Sequence, residues 1–425
     1  MINRTVTIGK IFLGHELVSG TAFVFLGSII GNILAFLFNL FLARTLSYAD
    51  YAIFASLLSV ITLASIPAGS INTVIVKFAT NLFAKNEISK LKTLYLFFFK
   101  LVLGIALFIS ILFVLFSTPF KNYLHIENAW YIIVAGFVVS STYLVTLNNA
   151  FLQSLLKFKF ISFLNIFGNI IKIIVGIVLV ILGLKAFGAL GALFSMTIGM
   201  YLVAYMPLKT ILKQKTAENK IALNITQMIS YAVPASIAVI SLTSFTSVDV
   251  ILVKHFFPAH EAGFYAGLSL IGKVIFYFTA PIPLVMFPLI VKRHSIGKNY
   301  VNLLLLALLL VFVPSFTVTI FYFLFPSLVV NIFLGGRDYQ EIAQYLGMFG
   351  IFITLFSMLN VCVNFFLSIG NIKATSIVIF GAILQIVLLT LFHDNFAQVI
   401  QISIAVCLMV LVGFLWNFYR LSKSL

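Results

Sequence analysis

Charge is the scarcest ingredient of this chain. Only 8% of its 425 residues are charged, ten of them acidic, against 62% hydrophobic. A mean hydropathy of +1.19 completes the picture. A soluble globular domain carries roughly a quarter of its residues as charges, so that class is excluded and an integral membrane protein with many spans is expected. Cysteine is almost as rare. Cys362 and Cys407 both lie in apolar runs and read as buried thiols, forming neither a disulfide nor a metal site. Long polar segments are missing too, so function has to lie within the spans. A membrane glycan polymerase or glycosyl-transferring enzyme generally needs an acid or base on a sizeable extracytoplasmic loop, and none is found. The expectation is a protein that is not an enzyme.

What is present in abundance is long apolar runs. Stretches long enough to cross a bilayer, about 20 residues each, fall near Val18–Leu42, Tyr51–Val76, Leu94–Phe116, Trp130–Leu152, Ser162–Leu182 and Phe187–Leu208. After the polar linker "KQKTAENKIALN" come six more, near Thr226–Phe256, Ala262–Val291, Val301–Phe325, Ile342–Leu367, Ala374–Phe392 and Gln398–Tyr419. The first run is too long for a signal-peptide core and lacks a small-x-small cleavage site, so it is expected to remain as a span. Barrel strands would be shorter and would alternate in polarity; helices are the natural reading. The predicted class is therefore an all-α polytopic membrane protein with 12 transmembrane helices.

The net charge of +16 would suggest nucleic acid in a soluble protein, but here its distribution explains it. Lys and Arg number 18 at the termini and in loops after even-numbered spans, and 5 in loops after odd-numbered ones. That bias predicts a multi-pass membrane protein with both termini cytoplasmic, and no nucleic-acid partner.

The two halves resemble each other. "YADYAIFAS" (Tyr48–Ser56) aligns with "AHEAGFYAG" (Ala259–Gly267), pairing Asp50 with Glu261; upstream, Arg44 sits opposite Lys254. "IFGNIIKIIV" (Ile166–Val175) matches "IFGAILQIVL" (Ile379–Leu388), with Lys172 on Gln385. Two blocks in the same order point to a duplication. The expected organisation is two six-helix lobes, 1–210 and 225–425, joined by a cytoplasmic linker over 211–224. An even number of spans per half gives parallel repeats related by a pseudo-twofold axis along the membrane normal.

Several spans carry a polar line at helical spacing. The fifth has Ser162, Asn165, Asn169, Lys172 and Gly176; the fourth has Thr142, Thr146, Asn149 and Gln153; the first has Ser28, Asn32, Ala35 and Asn39. In the second half the eighth has Ser269, Lys273 and Tyr277, and the tenth has Ser357, Asn364 and Ser368. Small and polar residues also serve helix–helix packing, and that is the better reading for Ser, Thr and Gly. The lysines differ. A central charge costs roughly 2.5–3.5 kcal/mol even on the lenient insertion scale. Neither Lys172 nor Lys273 has an acid three or four residues away. Both are expected to face a cavity, although Lys273 has the option of a distant acid. Asp249 reads by default as a boundary residue, with coupling to a cation or proton as the other reading. Asp50 and Glu261 head helices, where capping explains them. Arg44 either anchors its span or touches substrate. Pro67, Pro234, Pro281 and Pro283 interrupt spans and fit either moving elements or static kinks.

"ARTLSYADYAIFA", its echo "HEAGFYAGLSLIGKVIFYFTAPIPLVMFP" and "FLGGRDYQEIAQYLGMF" resemble the polysaccharide flippases of the multidrug/oligosaccharidyl-lipid/polysaccharide exporter superfamily. Ser47 and Ala52 replace the usual glycines of the first copy, while Gly263 keeps that of the second. The resemblance covers essentially the whole chain. It implies two six-helix lobes, alternating access, and movement of an undecaprenyl-diphosphate-linked oligosaccharide from the cytoplasmic to the outer leaflet, with the polysaccharide (O-antigen of lipopolysaccharide, capsule or another glycan) left open. Substrate contacts are expected at Lys172, Lys273, Asn169, Asn165, Asn149, Gln153, Asn32 and Arg44, with Asp249 as the candidate for ion coupling. No cofactor or metal is expected beyond an H+ or Na+ gradient. The expected partners are the lipid-linked oligosaccharide, membrane lipids and polysaccharide assembly proteins. The competing reading is a cation-coupled drug antiporter of the same fold, which usually favours an acidic cavity.

Overall fold

The computed structural model describes residues 16–84, 87–213, 225–295, 301–335 and 338–424, and no strand occurs among them. The linker from residue 214 onward, together with His15 and Arg337, lies outside the described residues. In chain order the helices are α1 (Glu16–Thr45), α2 (Tyr48–Ala84), α3 (Ile88–Leu115), α4 (Ser117–Tyr123), α5 (Trp130–Ser154), α6 (Phe158–Leu179) and α7 (Lys185–Leu212). They continue with α8 (Ile225–Ser244), α9 (Val248–Phe256), α10 (Ala259–Gly272), α11 (Val274–Thr279), α12 (Pro281–Ser295) and α13 (Val301–Leu324). The last are α14 (Pro326–Leu334), α15 (Ala343–Ser368), α16 (Ile372–Leu391) and α17 (Phe396–Ser424).

Each expected apolar stretch is helical. Eight described helices are long and apolar enough to cross a membrane, or nine when the pair Ser236–Ser244 and Val248–Phe256, bent by 47°, counts as one span. Phe158–Lys209 enters that count as one stretch of 52 residues, but it is two antiparallel helices. Gly183, at φ 85°, turns the chain between them, a left-handed backbone that glycine adopts without a Cβ penalty. Beyond the turn the faces meet through small residues. A Cβ on Gly168 would strike Met200, one on Gly176 would strike Phe38 and come within 3.2 Å of Ala192, and one on Gly188 would lie 2.9 Å from Leu179. Close approach of this kind replaces the hydrophobic driving force that lipid does not supply.

The chain forms two compact units. The first comprises Met1–Phe38, Pro67–Phe120 and Asn128–Ala232; the second comprises Asn39–Ile66, Lys121–Glu127 and Val233–Leu425. Within the first, α3 packs on α5, α5 on α7 and α6 on α7. Within the second the same order recurs, α13 on α15, α15 on α17 and α16 on α17. The aligned sequence blocks also begin helices at equivalent points, α2 at Tyr48 and α10 at Ala259. Asp50 and Glu261 lie in their first turns. Ser47 and Asp50 close a reciprocal cap, Ser47 Oγ donating to the Asp50 carboxylate at 2.5 Å and the Asp50 amide donating to Ser47 Oγ at 3.1 Å. The Asp50 amide, one of the donors left unpaired at a helix start, is satisfied this way.

Candidate functional site

In the first unit the polar line of α6 lies on its buried side. Ser162, Asn169, Lys172 and Gly176 are buried, whereas Phe163, Ile170, Ile174 and Val178 on the other side are exposed. The exposed set suits lipid, and the buried set faces α1. A Cβ on Gly31 would lie 3.3 Å from Asn169 Nδ2. Lys172 is 5% exposed and its Nζ stands 5.2 Å from the centre of the Phe38 ring. Among the described residues it makes no hydrogen bond or ion pair. A cation–π contact contributes about 0.5–2 kcal/mol, which offsets only part of the roughly 2.5–3.5 kcal/mol burial cost. Asn169 donates to the Asn165 carbonyl at 2.9 Å, and its buried Oδ1 has no partner among the described residues.

The second unit holds a cavity of about 290 Å³. Tyr51, Ser59 and Thr62 reach it from α2, at spacings of eight and three that place them on one face. Thr243, Thr246 and Ser247 come from the break between α8 and α9; Ser269, Lys273 and Tyr277 come from α10, the turn after it and α11. Phe276, Ile353 and Phe356 complete an apolar wall. No carboxylate lines it among the described residues. The polar line expected on the eighth span (Ser269, Lys273, Tyr277) is thus brought together at one surface.

Behind the wall sits Asp249, 0% exposed, in the first turn of α9. The Tyr265 hydroxyl donates to its Oδ2 at 2.9 Å and the Val250 amide to its Oδ1 at 2.8 Å. Lys273 attracts it electrostatically without a direct ion pair. Its default reading as a boundary residue is therefore corrected: the helix break carries it inside, where Tyr265 and an amide at the start of α9 solvate its charge. Lys273 has found the distant acid that sequence spacing left open.

The other expected residues are distributed differently. Asn149 is half-buried, with a buried Oδ1 lacking a partner among the described residues. Gln153 is exposed and accepts from Asn72 at 3.4 Å. Asn32 is exposed, and Ser28 has no described side chain. No hydrogen bond joins the α5 pair to the α6 group among the described residues. Arg44, in the second unit, donates its Nε to the Phe333 carbonyl at 2.8 Å and its Nη2 to the Ile332 carbonyl. Asn148, adjacent to the expected Asn149, is the one fully buried on α5. It accepts from the Tyr95 hydroxyl at 2.9 Å and donates to the Tyr201 carbonyl at 3.3 Å.

Residues 17–294 match the family described as polysaccharide biosynthesis protein. An uncharacterized membrane protein of Methanocaldococcus jannaschii is 23% identical over 296 residues, 60% of this chain and 70% of the relative. Among solved structures, the lipid II flippase MurJ in an inward closed conformation superposes with a TM-score of 0.70 at 14% identity, covering 95% of this chain and 87% of that one. An inward-facing multidrug resistance MATE family transporter of the MOP superfamily gives 0.68 at 14% identity, over 93% and 95% of the two chains. These structures share the fold with this chain.

Proposed function

Starting from a chain that belongs to the polysaccharide biosynthesis protein family, we propose that it flips an undecaprenyl-diphosphate-linked oligosaccharide from the cytoplasmic to the outer leaflet by alternating access. Lys172 carries this reading: a buried ammonium whose ring contact leaves part of its burial cost uncompensated. A lysine about 4 Å from a phosphate charge gains roughly 4 kcal/mol at an effective dielectric of 20, before desolvation. That is enough to supply the missing stabilisation when substrate arrives. The hydroxyl-rich wall around Lys273, without a carboxylate in its lining, suits an anionic saccharide better than a cationic drug. Asp249, sealed beside Tyr265, is the residue best suited to couple transport to an H+ or Na+ gradient. The flippase reading implies a bacterial plasma (inner) membrane, the basic-residue bias puts both termini in the cytoplasm, and polysaccharide assembly proteins act downstream of the flipped lipid.

The test is the leaflet distribution of the lipid-linked oligosaccharide in deleted and complemented cells. Deletion should leave the lipid-linked unit on the cytoplasmic leaflet and deplete a surface polysaccharide. An unchanged distribution with specific loss of drug efflux would overturn the reading.

A further inference from the structure

Five hydroxyl side chains around the second unit's cavity lack a hydrogen-bond partner among the described residues. Tyr51, Ser59, Thr246, Ser247 and Ser269 are each less than a tenth exposed. None of their hydroxyls hydrogen-bonds to another described residue. Ser269 is the sharpest case, 3% exposed with a buried Oγ that nothing answers. Buried polar groups are hydrogen-bonded in at least about nine cases in ten. Ser269 breaks that rule, and the four other hydroxyls, bonded to no described residue and open to the same cavity, mark the surface rather than one residue. Elsewhere Ser141 bonds to Thr197 at 2.6 Å and Thr319 to Thr354 at 3.0 Å, while Ser65, Ser315 and Ser357 each keep a buried hydroxyl without a partner among the described residues, none of them in the lining of this cavity.

Resting on the flippase reading, we propose that this cavity is a subsite for one sugar ring bearing an anionic group, its hydroxyls on Thr246, Ser247 and Ser269 and its anion on Lys273. Size sets the number of rings. About 290 Å³ sits at the small end of ligand pockets, which span roughly 300–1,000 Å³, so a whole oligosaccharide does not fit. The lining chemistry sets the class. Hydroxyls donate and accept, as a polyol requires, and the faces of Phe276 and Phe356 suit the apolar side of a pyranose. Charge sets the substituent. Lys273 offers three donors and no acceptor, and the nearby Asp249 carboxylate is already taken by Tyr265 and the Val250 amide. The anion can be an anomeric phosphate or the carboxylate of an acidic sugar. Both present the same charged acceptor to the ammonium.

The full-length protein, purified into phosphatidylcholine nanodiscs, should be titrated with four probe classes: hexose 1-phosphates, hexuronates, neutral hexoses and inorganic phosphate. At least one sugar anion should bind saturably, about tenfold or more tighter than the neutral hexose or inorganic phosphate. Phosphate and carboxylate sources separate by which probe class wins. Ser269→Ala should weaken that binding about tenfold and Lys273→Met about a hundredfold, on the usual scale of neutral and charged hydrogen bonds. Ser315→Ala, buried on α13 away from the cavity, should change nothing and controls for folding. Inorganic phosphate binding as tightly as any sugar anion would overturn the sugar ring. A neutral hexose binding equally well would overturn the anion. No binding at millimolar probe overturns the subsite, and if the same preparation in vesicles still flips the lipid-linked oligosaccharide, the flippase reading stands without it. Binding by a preparation that does not flip would leave the subsite and remove the flippase.

Discussion

Buried polar side chains do different things on α5, in the first unit, and around the cavity of the second. In the first, Ser140 bonds the Ala106 carbonyl and Ser110, each at 2.8 Å; Ser141 bonds Thr197; Asn148 joins Tyr95 and Tyr201. These contacts tie α5 to α3 and α7, the helices it packs on. In the second unit Tyr51, Ser59, Thr246, Ser247 and Ser269 on the cavity are each less than a tenth exposed, and their hydroxyls bond to no other described residue. Composition does not separate the two sets, since Ser, Thr and Tyr occur in both. Satisfaction does. A closed network specifies packing, whereas an open one of comparable burial is a place for a ligand. Lys172 belongs to the open kind although it sits in the unit whose network is mostly closed.

The largest effect expected anywhere is therefore at Lys172. Lys172→Ala should cut export by about a hundredfold or more, on the order of the 2.7 kcal/mol that such a factor represents, with protein levels near normal. Lys172→Met keeps the apolar stem against Phe38 and removes only the charge. It should export as poorly yet unfold no more easily, because replacing an uncompensated buried charge by an apolar group is neutral or stabilising. Lys172→Arg should retain part of the activity, since charge survives and geometry changes. Normal export by the Met variant would place Lys172 with the packing residues and break the contrast just drawn.

A matched pair of substitutions sharpens it. Asn148→Ala strips partners from the Tyr95 hydroxyl and the Tyr201 carbonyl, so it should lower stability by about 1–3 kcal/mol without changing which saccharide is exported. Thr246→Val removes a hydroxyl that has no partner among the described residues. Thermal unfolding in detergent should be unchanged or slightly raised, while export of the native saccharide falls. The opposite assignment of the two phenotypes would mean that satisfaction is a poor guide in this protein.

Much of the frame was legible in the residues. Helical spacing put Ser269, Lys273 and Tyr277 on one face, and they line one cavity. Repeat alignment placed Tyr48 and Ala259 at corresponding points, and both begin helices. The break before Asp249 was missed because it contains no proline or glycine. It follows a signal that was available: "TSVD" puts Ser247 at a helix N-cap and Asp249 in the first turn. What holds the break open is not local, since Gln385, from 140 residues away, donates to the freed Phe245 carbonyl at 3.1 Å. Tyr51, Ser59 and Thr62 form a helical stripe that spacing could have shown. The choice between Asn148 and Asn149 could not be read, because adjacent helix positions differ by a rotation that only packing fixes.

Arg44 offers the smallest effect and the finest discrimination. From sequence it was either an anchor or a substrate contact; in the structure its guanidinium covers the Ile332 and Phe333 carbonyls at the end of α14. That helix stops at Gly335, in the left-handed conformation with φ 68°, whose amide bonds the Asn331 carbonyl at 3.0 Å. The remaining carbonyls carry the negative end of the helix dipole, and a cation there stabilises by about 0.3–1 kcal/mol when exposed. Arg44→Gln should therefore cost stability in that range, and Arg44→Lys less, because a point charge still faces the dipole. Export should fall much less than in Lys172→Ala. A loss as large as that of Lys172→Ala, with unfolding unchanged, would show that Arg44 leaves the helix end to meet the substrate during transport, and would move it from the closed network to the open one.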